Sequence, residues 1–155
     1  MKVITKLSVT DGVSLVTISS LPNDMAIMAS ILEAVAAAGI NVDMMNQSPL
    51  AKSDSISFSF TVSAGDVGKV MNVLGGCKQD FPKLMVEINA ENTKLCVYGA
   101  TMVTVCGVAA DLFRVLADRQ IDVRLITTSE TDISVLIADN DTDTAVALLK
   151  THYGL

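Results

Sequence analysis

Residues 36–45 read AAAGINVDMM and residues 117–126 read ADRQIDVRLI. Ile40-Asn41-Val42-Asp43 lines up with Ile121-Asp122-Val123-Arg124 at an offset of 81 residues (40 to 121). The same offset pairs Ala29 with Ala110, Leu32 with Phe113, and Val35 with Leu116. After a shorter connection the match resumes between SISFSFTV (55–62) and DISVLIAD (132–139), now offset by 77. A self-match that keeps both helical and strand periods marks a duplicated supersecondary unit.

Each copy reads the same way. Leu15–Ser20 is β-rich and predicts a strand. Asn23 or Asp24 caps a helix whose Ile27, Ile31, Val35 and Ala38 recur at helical spacing. Gly39 ends it as a C′ residue. A second strand follows over 40–47. In the third, Ile56, Phe58, Phe60 and Val62 face one way and Ser55, Ser57, Ser59 and Thr61 the other. Val67, Val70, Met71 and Leu74 predict a second helix, and residues 84–88 a closing strand. The order β-α-β-β-α-β is the split βαβ, ferredoxin-like arrangement, an α+β fold with helices on one face of a sheet. The second copy gives a strand (94–99), a helix (107–119), strands (121–128, 131–138) and a helix (142–152), with no fourth strand. KVITKLSV (2–9) is a strand that the first copy does not need. We therefore expect residues 3–9 to complete the second sheet. The domains become 11–90, and 2–10 plus 91–155.

Composition narrows the function. Half of the 155 residues are hydrophobic, 18% are charged, and mean hydropathy is +0.49. A membrane-spanning helix needs roughly 20 apolar residues in a row. The most apolar stretch, Met25 to Met45, is broken by Ser30, Glu33, Asn41 and Asp43, so no membrane association is expected. A net charge of −6 and 4% aromatics without Trp argue against nucleic acid as a partner. The N-terminus lacks the apolar core of a secretory signal. Three cysteines without C-x-x-C spacing fit reduced thiols in a cytoplasm. One histidine cannot build a His-rich metal site, and no nucleophile stands at a recognisable spacing from a base. NDTDT (140–144) lacks the Gly and Glu of a calcium loop. No catalytic residue, metal or cofactor is expected, and the chain does not read as an enzyme.

With INVDMMNQS in one copy and IDVRLITTSETDISVLI in the other, residues 2–153 resemble the paired ACT domains at the regulatory end of aspartate kinases. The most specific piece is Thr127-Thr128-Ser129-Glu130 before an alternating strand, which looks like that family's ligand-associated segment. No kinase portion accompanies it. The resemblance implies a module that binds an amino acid and works in pairs, with the ligand at an inter-domain or dimer interface. It implies that loop amides at the start of a helix hold the ligand's carboxylate. Those loops are here Asn23, Asp24, Met25, Ala26 and Ile27 in the first unit, and Cys106, Gly107, Val108 and Ala109 in the second. Polar groups from the strands are matched by Asn41, Gln47, Thr128, Ser129 and Glu130, with Glu130 suited to the ammonium. The family's Asp-x-Pro-Gly-like run is altered in the first loop, where Met25-Ala26 replaces Pro-Gly, whereas the second loop keeps its glycine.

Two functional readings follow. One is a stand-alone tandem sensor, a homodimer that binds an amino acid such as lysine, threonine or methionine and signals to a partner enzyme of amino-acid metabolism. The other is a non-binding dimerisation or regulatory subunit of an aspartate kinase-like enzyme, with a degenerate pocket. Asn23 and Asp24 also read as plain helix caps, Thr127–Ser129 as a polar strand end, and Glu130 as a solvated turn residue. Met1 and a strand starting near residue 3 read as a free-standing protein.

Overall fold

A computed structural model describes residues 2–50 and 54–155, so Met1 lies outside the described residues. The elements run β1 (Lys6–Pro22), α1 (Met25–Ala37), β2 (Met45–Pro49), β3 (Ser55–Ser63), α2 (Val67–Asp80), β4 (Met85–Tyr98), α3 (Val108–Ala117), β5 (Val123–Thr128), β6 (Asp132–Ala138) and α4 (Thr142–Tyr153). The chain divides into two units, Val13–Ala90, and Met1–Gly12 together with Glu91–Leu155. Each is an α+β unit with four strands and two helices. The first has strand order β2-β3-β1-β4, and the second β1-β4-β6-β5.

The N-terminal segment belongs to the second unit, as the strand count predicted. The Thr5 amide donates to the Tyr98 carbonyl at 2.8 Å, and the ladder proper begins at Lys6. Ile4, 2% exposed, packs in the second core with Leu95, Leu112, Leu116, Val135 and Leu149. The first core gathers Val16, Ile18, Ile31, Val35, Phe60 and Leu74. The paired positions Val35 and Leu116 are each 1% exposed.

Three strands differ from the sequence reading. The strands expected at 2–9 and 15–20 are one strand, β1, and those at 84–88 and 94–99 are one strand, β4. Both run through a residue with positive φ, Gly12 (+65°) and Glu91 (+59°), between the two strands expected from the sequence. β2 starts at Met45 rather than Ile40, because the Thr61 side chain replaces a ladder acceptor. Its Oγ1 accepts from the Met44 amide at 2.9 Å, while the Thr61 carbonyl accepts from Asp43. Pro49 then sits on the β2 edge, where a missing N–H leaves no ladder bond broken.

Replacing Ile4 with Ala should cost about 2–4 kcal/mol, as for a buried aliphatic in a well-packed core. Urea unfolding measures it; a cost under about 0.5 kcal/mol, the level of a surface substitution, would mean the second core closes without residues 2–5.

Candidate functional site

The two copies end their first connection differently. In the first unit Asp24 is the N-cap of α1, extended at φ −134°, ψ 118°, and its Oδ1 accepts from the Ala26 amide at 2.8 Å. The carboxylate thus takes one of the amides that a helix start leaves open, and its charge offsets the positive end of the helix dipole. The Asn23 amide donates to the Asp54 carbonyl at 2.9 Å. Met25 projects into solvent at 71% exposure. Ala26 and Ile27 line a groove of about 570 Å³ between α1 and α2. Asn41 and Gln47 are both exposed, Asn41 ahead of β2 and Gln47 on it, opposite Phe58.

In the second unit, β4 is followed by a short 3-10 turn, Ala100–Thr104, and α3 begins behind Gly107. Gly107 adopts φ +89°, ψ 1°, a conformation that a side chain makes costly, although a Cβ there would touch nothing within 4 Å. Having no side chain, it leaves α3 without a side-chain cap. Asp111 lies in the first turn, with its carboxylate paired to His152 of α4 at 3.0 Å. Burial, together with that same carboxylate, pushes the phenol of Tyr153 above its ordinary range.

The start of α3 opens on a pocket of about 390 Å³. One wall comes from Met102, Val103, Val105, Gly107, Val108 and Ala109, the other from Thr128, Ser129, Glu130 and Ile133. Cys106 is exposed, between two of the lining residues. Six of the residues singled out in the sequence therefore meet in one cavity: Gly107, Val108, Ala109, Thr128, Ser129 and Glu130. The Ser129 hydroxyl is committed to the turn between β5 and β6. It accepts from the amides of Thr131 (3.2 Å) and Asp132 (3.1 Å) and donates to the Asp132 carboxylate. Its effect is to fix the tip that carries Glu130. Glu130 itself is exposed and brings the pocket its one carboxylate.

The apolar lining by Met102, Val103, Val105 and Ile133 was not singled out from the sequence. Their residue types read as packing, and only the exposure of Val103 and Val105 in the structure (55% and 38%) sets the lining apart. Among the described residues, no group of three or more His, Cys, Asp or Glu side chains could hold a metal ion, and no helix is long and apolar enough to cross a membrane.

The chain is thus two ferredoxin-like units in tandem, the second with a helix start that no side chain caps beside a small pocket. A family model described as "ACT domain" matches residues 13–76 and 95–153, and the chain belongs to the ACT domain family. It is 30% identical over 145 residues to aspartokinase 2 of Bacillus subtilis, covering 94% of this chain and 35% of that protein. It is 32% identical to the aspartokinase of Geobacillus stearothermophilus, covering 94% and 34%. The chain thus spans about a third of the length of the curated relatives it matches. A crystal structure of aspartokinase alpha and beta subunits superposes with a TM-score of 0.86 at 30% identity, covering 98% of this chain and 99% of that one. The ligand-free regulatory subunit of aspartate kinase from Thermus thermophilus shares the fold, with a TM-score of 0.85 at 22% identity over 97% and 98% of the two chains.

Replacing Asp24 or Gly107 with Ala should each destabilise the protein by about 1 kcal/mol, the first by removing a cap and the second by forcing a side chain into positive φ. Gly107→Asn should cost less than Gly107→Ala, since Asn tolerates the left-handed region. Equal unfolding midpoints for the Ala and Asn variants would contradict this account of Gly107.

Proposed function

We propose that the chain is the regulatory, non-catalytic part of an amino-acid-responsive system, and that its second unit binds the amino acid. The observation that carries this reading is the uncapped start of α3 at Gly107, on a pocket that Glu130 also lines. A free amino acid offers a carboxylate and an ammonium. The amides at the start of α3, which no side chain caps, suit the first, and Glu130 suits the second through a charge-assisted hydrogen bond. A volume of about 390 Å³ fits a small ligand. The aspartokinase III of E. coli has been solved in complex with lysine and aspartate, which supports an amino acid as the ligand class. Lysine, threonine and methionine are the first candidates.

The Asp24 cap favours a scaffolding role for the first unit, since a ligand carboxylate arriving at α1 would meet an anion already in place. The assembly we propose is a homodimer that acts on a partner enzyme of amino-acid metabolism, an aspartate kinase foremost. Three free thiols, Cys77, Cys96 and Cys106, support a reducing cytoplasmic setting.

A thermal-shift screen against the twenty amino acids tests the reading. A ligand at 100 times its dissociation constant adds about 2.7 kcal/mol, a rise of roughly 5–10 °C for a chain of this size. One or two amino acids should produce it. Glu130→Ala should weaken their binding by roughly 10- to 100-fold, the worth of a hydrogen bond to a charged group. A flat screen would remove the sensor reading.

A further inference from the structure

Gly99 stands where the N-terminal segment meets the pocket's two walls. Its amide donates to the Thr131 carbonyl at 2.9 Å, tying the entry of the 100–104 turn to the tip that carries Glu130. Its carbonyl accepts from the Met102 amide at 3.0 Å, closing the turn that supplies Met102 and Val103 to the pocket. On its other side, a methyl group built at position 99 would stand 1.8 Å from the Val3 carbonyl oxygen and 2.8 Å from the Val3 carbonyl carbon. The Val3 backbone therefore approaches closer than any side chain would permit, which is the use of glycine here. At the preceding residue, the Tyr98 carbonyl accepts from both the Thr5 amide (2.8 Å) and the Thr5 hydroxyl (3.3 Å). The Lys2 ammonium donates to the Gly154 carbonyl behind α4, securing the far end of the segment.

From this juxtaposition we propose that residues 2–5 are a positioning and signalling element of the second-unit pocket, with Gly99 as the residue through which the two communicate. Docking of the segment on Tyr98-Gly99 holds the 100–104 turn and the Glu130 tip in register. A ligand that bridges the same two walls in turn favours the docked segment, because coupling between two binding events is reciprocal. The docked fraction of the N-terminal segment becomes the state that a partner reads. The ligand's identity rests on the proposed function above; the mechanical link between segment and pocket does not.

Residue-resolved amide hydrogen exchange on the full chain separates the two. Thr5→Pro removes the donor to Tyr98 at an exposed position and leaves Gly99 untouched; Gly99→Ala separates the backbones directly. In Thr5→Pro, the Gly99 and Met102 amides should exchange about fivefold faster, the worth of roughly one neutral backbone hydrogen bond. The Thr61 amide in the first unit and the Asp118 amide at the end of α3 should keep their wild-type rates. In the wild type, an amino acid that stabilises the protein should slow exchange at Thr5, and in Gly99→Ala that response should be lost. Unchanged rates at Gly99 and Met102 in Thr5→Pro would overturn the proposal. So would a uniform rise across the second unit, which would mark a merely structural strand. If no amino acid stabilises the wild type, the sensor reading falls, and the ligand-free exchange comparison still decides the coupling.

Discussion

The second unit depends on a strand drawn from the far end of the chain, which joins β4 at the hydrogen bond from the Thr5 amide to the Tyr98 carbonyl and continues as a ladder from Lys6. Residues 91–155 supply only three strands to that unit, the C-terminal half of β4 with β6 and β5. A sheet one strand short leaves one flank of its helices unsupported and an unpaired edge exposed. The N-terminal segment fills the gap and adds Ile4 to the core that Leu112, Leu116 and Leu149 build from the helices. Both β1 and β4 therefore serve two units, and the second unit is assembled from two separate stretches of sequence.

Within that frame, duplication has left two helix starts with opposite chemistry. At the 81-residue offset Asp24 corresponds to Val105 and Ala26 to Gly107. The first copy satisfies its own helix start with a carboxylate, and the second substitutes a glycine that can offer only backbone. A related divergence follows one turn further on. Ser30 corresponds to Asp111, which is paired with His152, whereas Ser30 donates its hydroxyl to the Ala26 carbonyl at 2.9 Å and borders the groove between α1 and α2. One copy is thus closed at the helix end and open between its helices, and the other is bridged between its helices and open at the end.

Much of this was legible in the sequence. The repeated Ile-x-Val after a helical apolar stripe fixed the register of the two copies, and counting strands showed that the second lacked one that the N-terminus could supply. The six pocket residues came from the Gly107 loop and the Thr-Thr-Ser-Glu run. What stayed hidden has physical causes. Gly39 announced a helix end by its type, but its counterpart Gln120 takes the same left-handed conformation (φ +56° against +73°) without advertising it. Glu91 likewise adopts φ +59° within a continuous strand, so no local signal showed that β4 ran through. Ser129 was matched to a ligand contact through the family resemblance, and the sequence held no sign of the three local hydrogen bonds that engage its hydroxyl. The apolar pocket wall used residue types that also fill cores, and only three-dimensional exposure tells the two uses apart.

In the proposed function the second helix start, and not the first, receives the ligand. Titrating the ¹⁵N-labelled protein with an amino acid that stabilises it, and following backbone amide shifts, tests this most directly. The account predicts saturable shifts at Gly107, Val108, Ala109 and Glu130, with Asn23, Met25 and Ala26 unmoved. Shifts centred on Met25 and Ala26 would mean that the ligand displaces the Asp24 cap, and would contradict it.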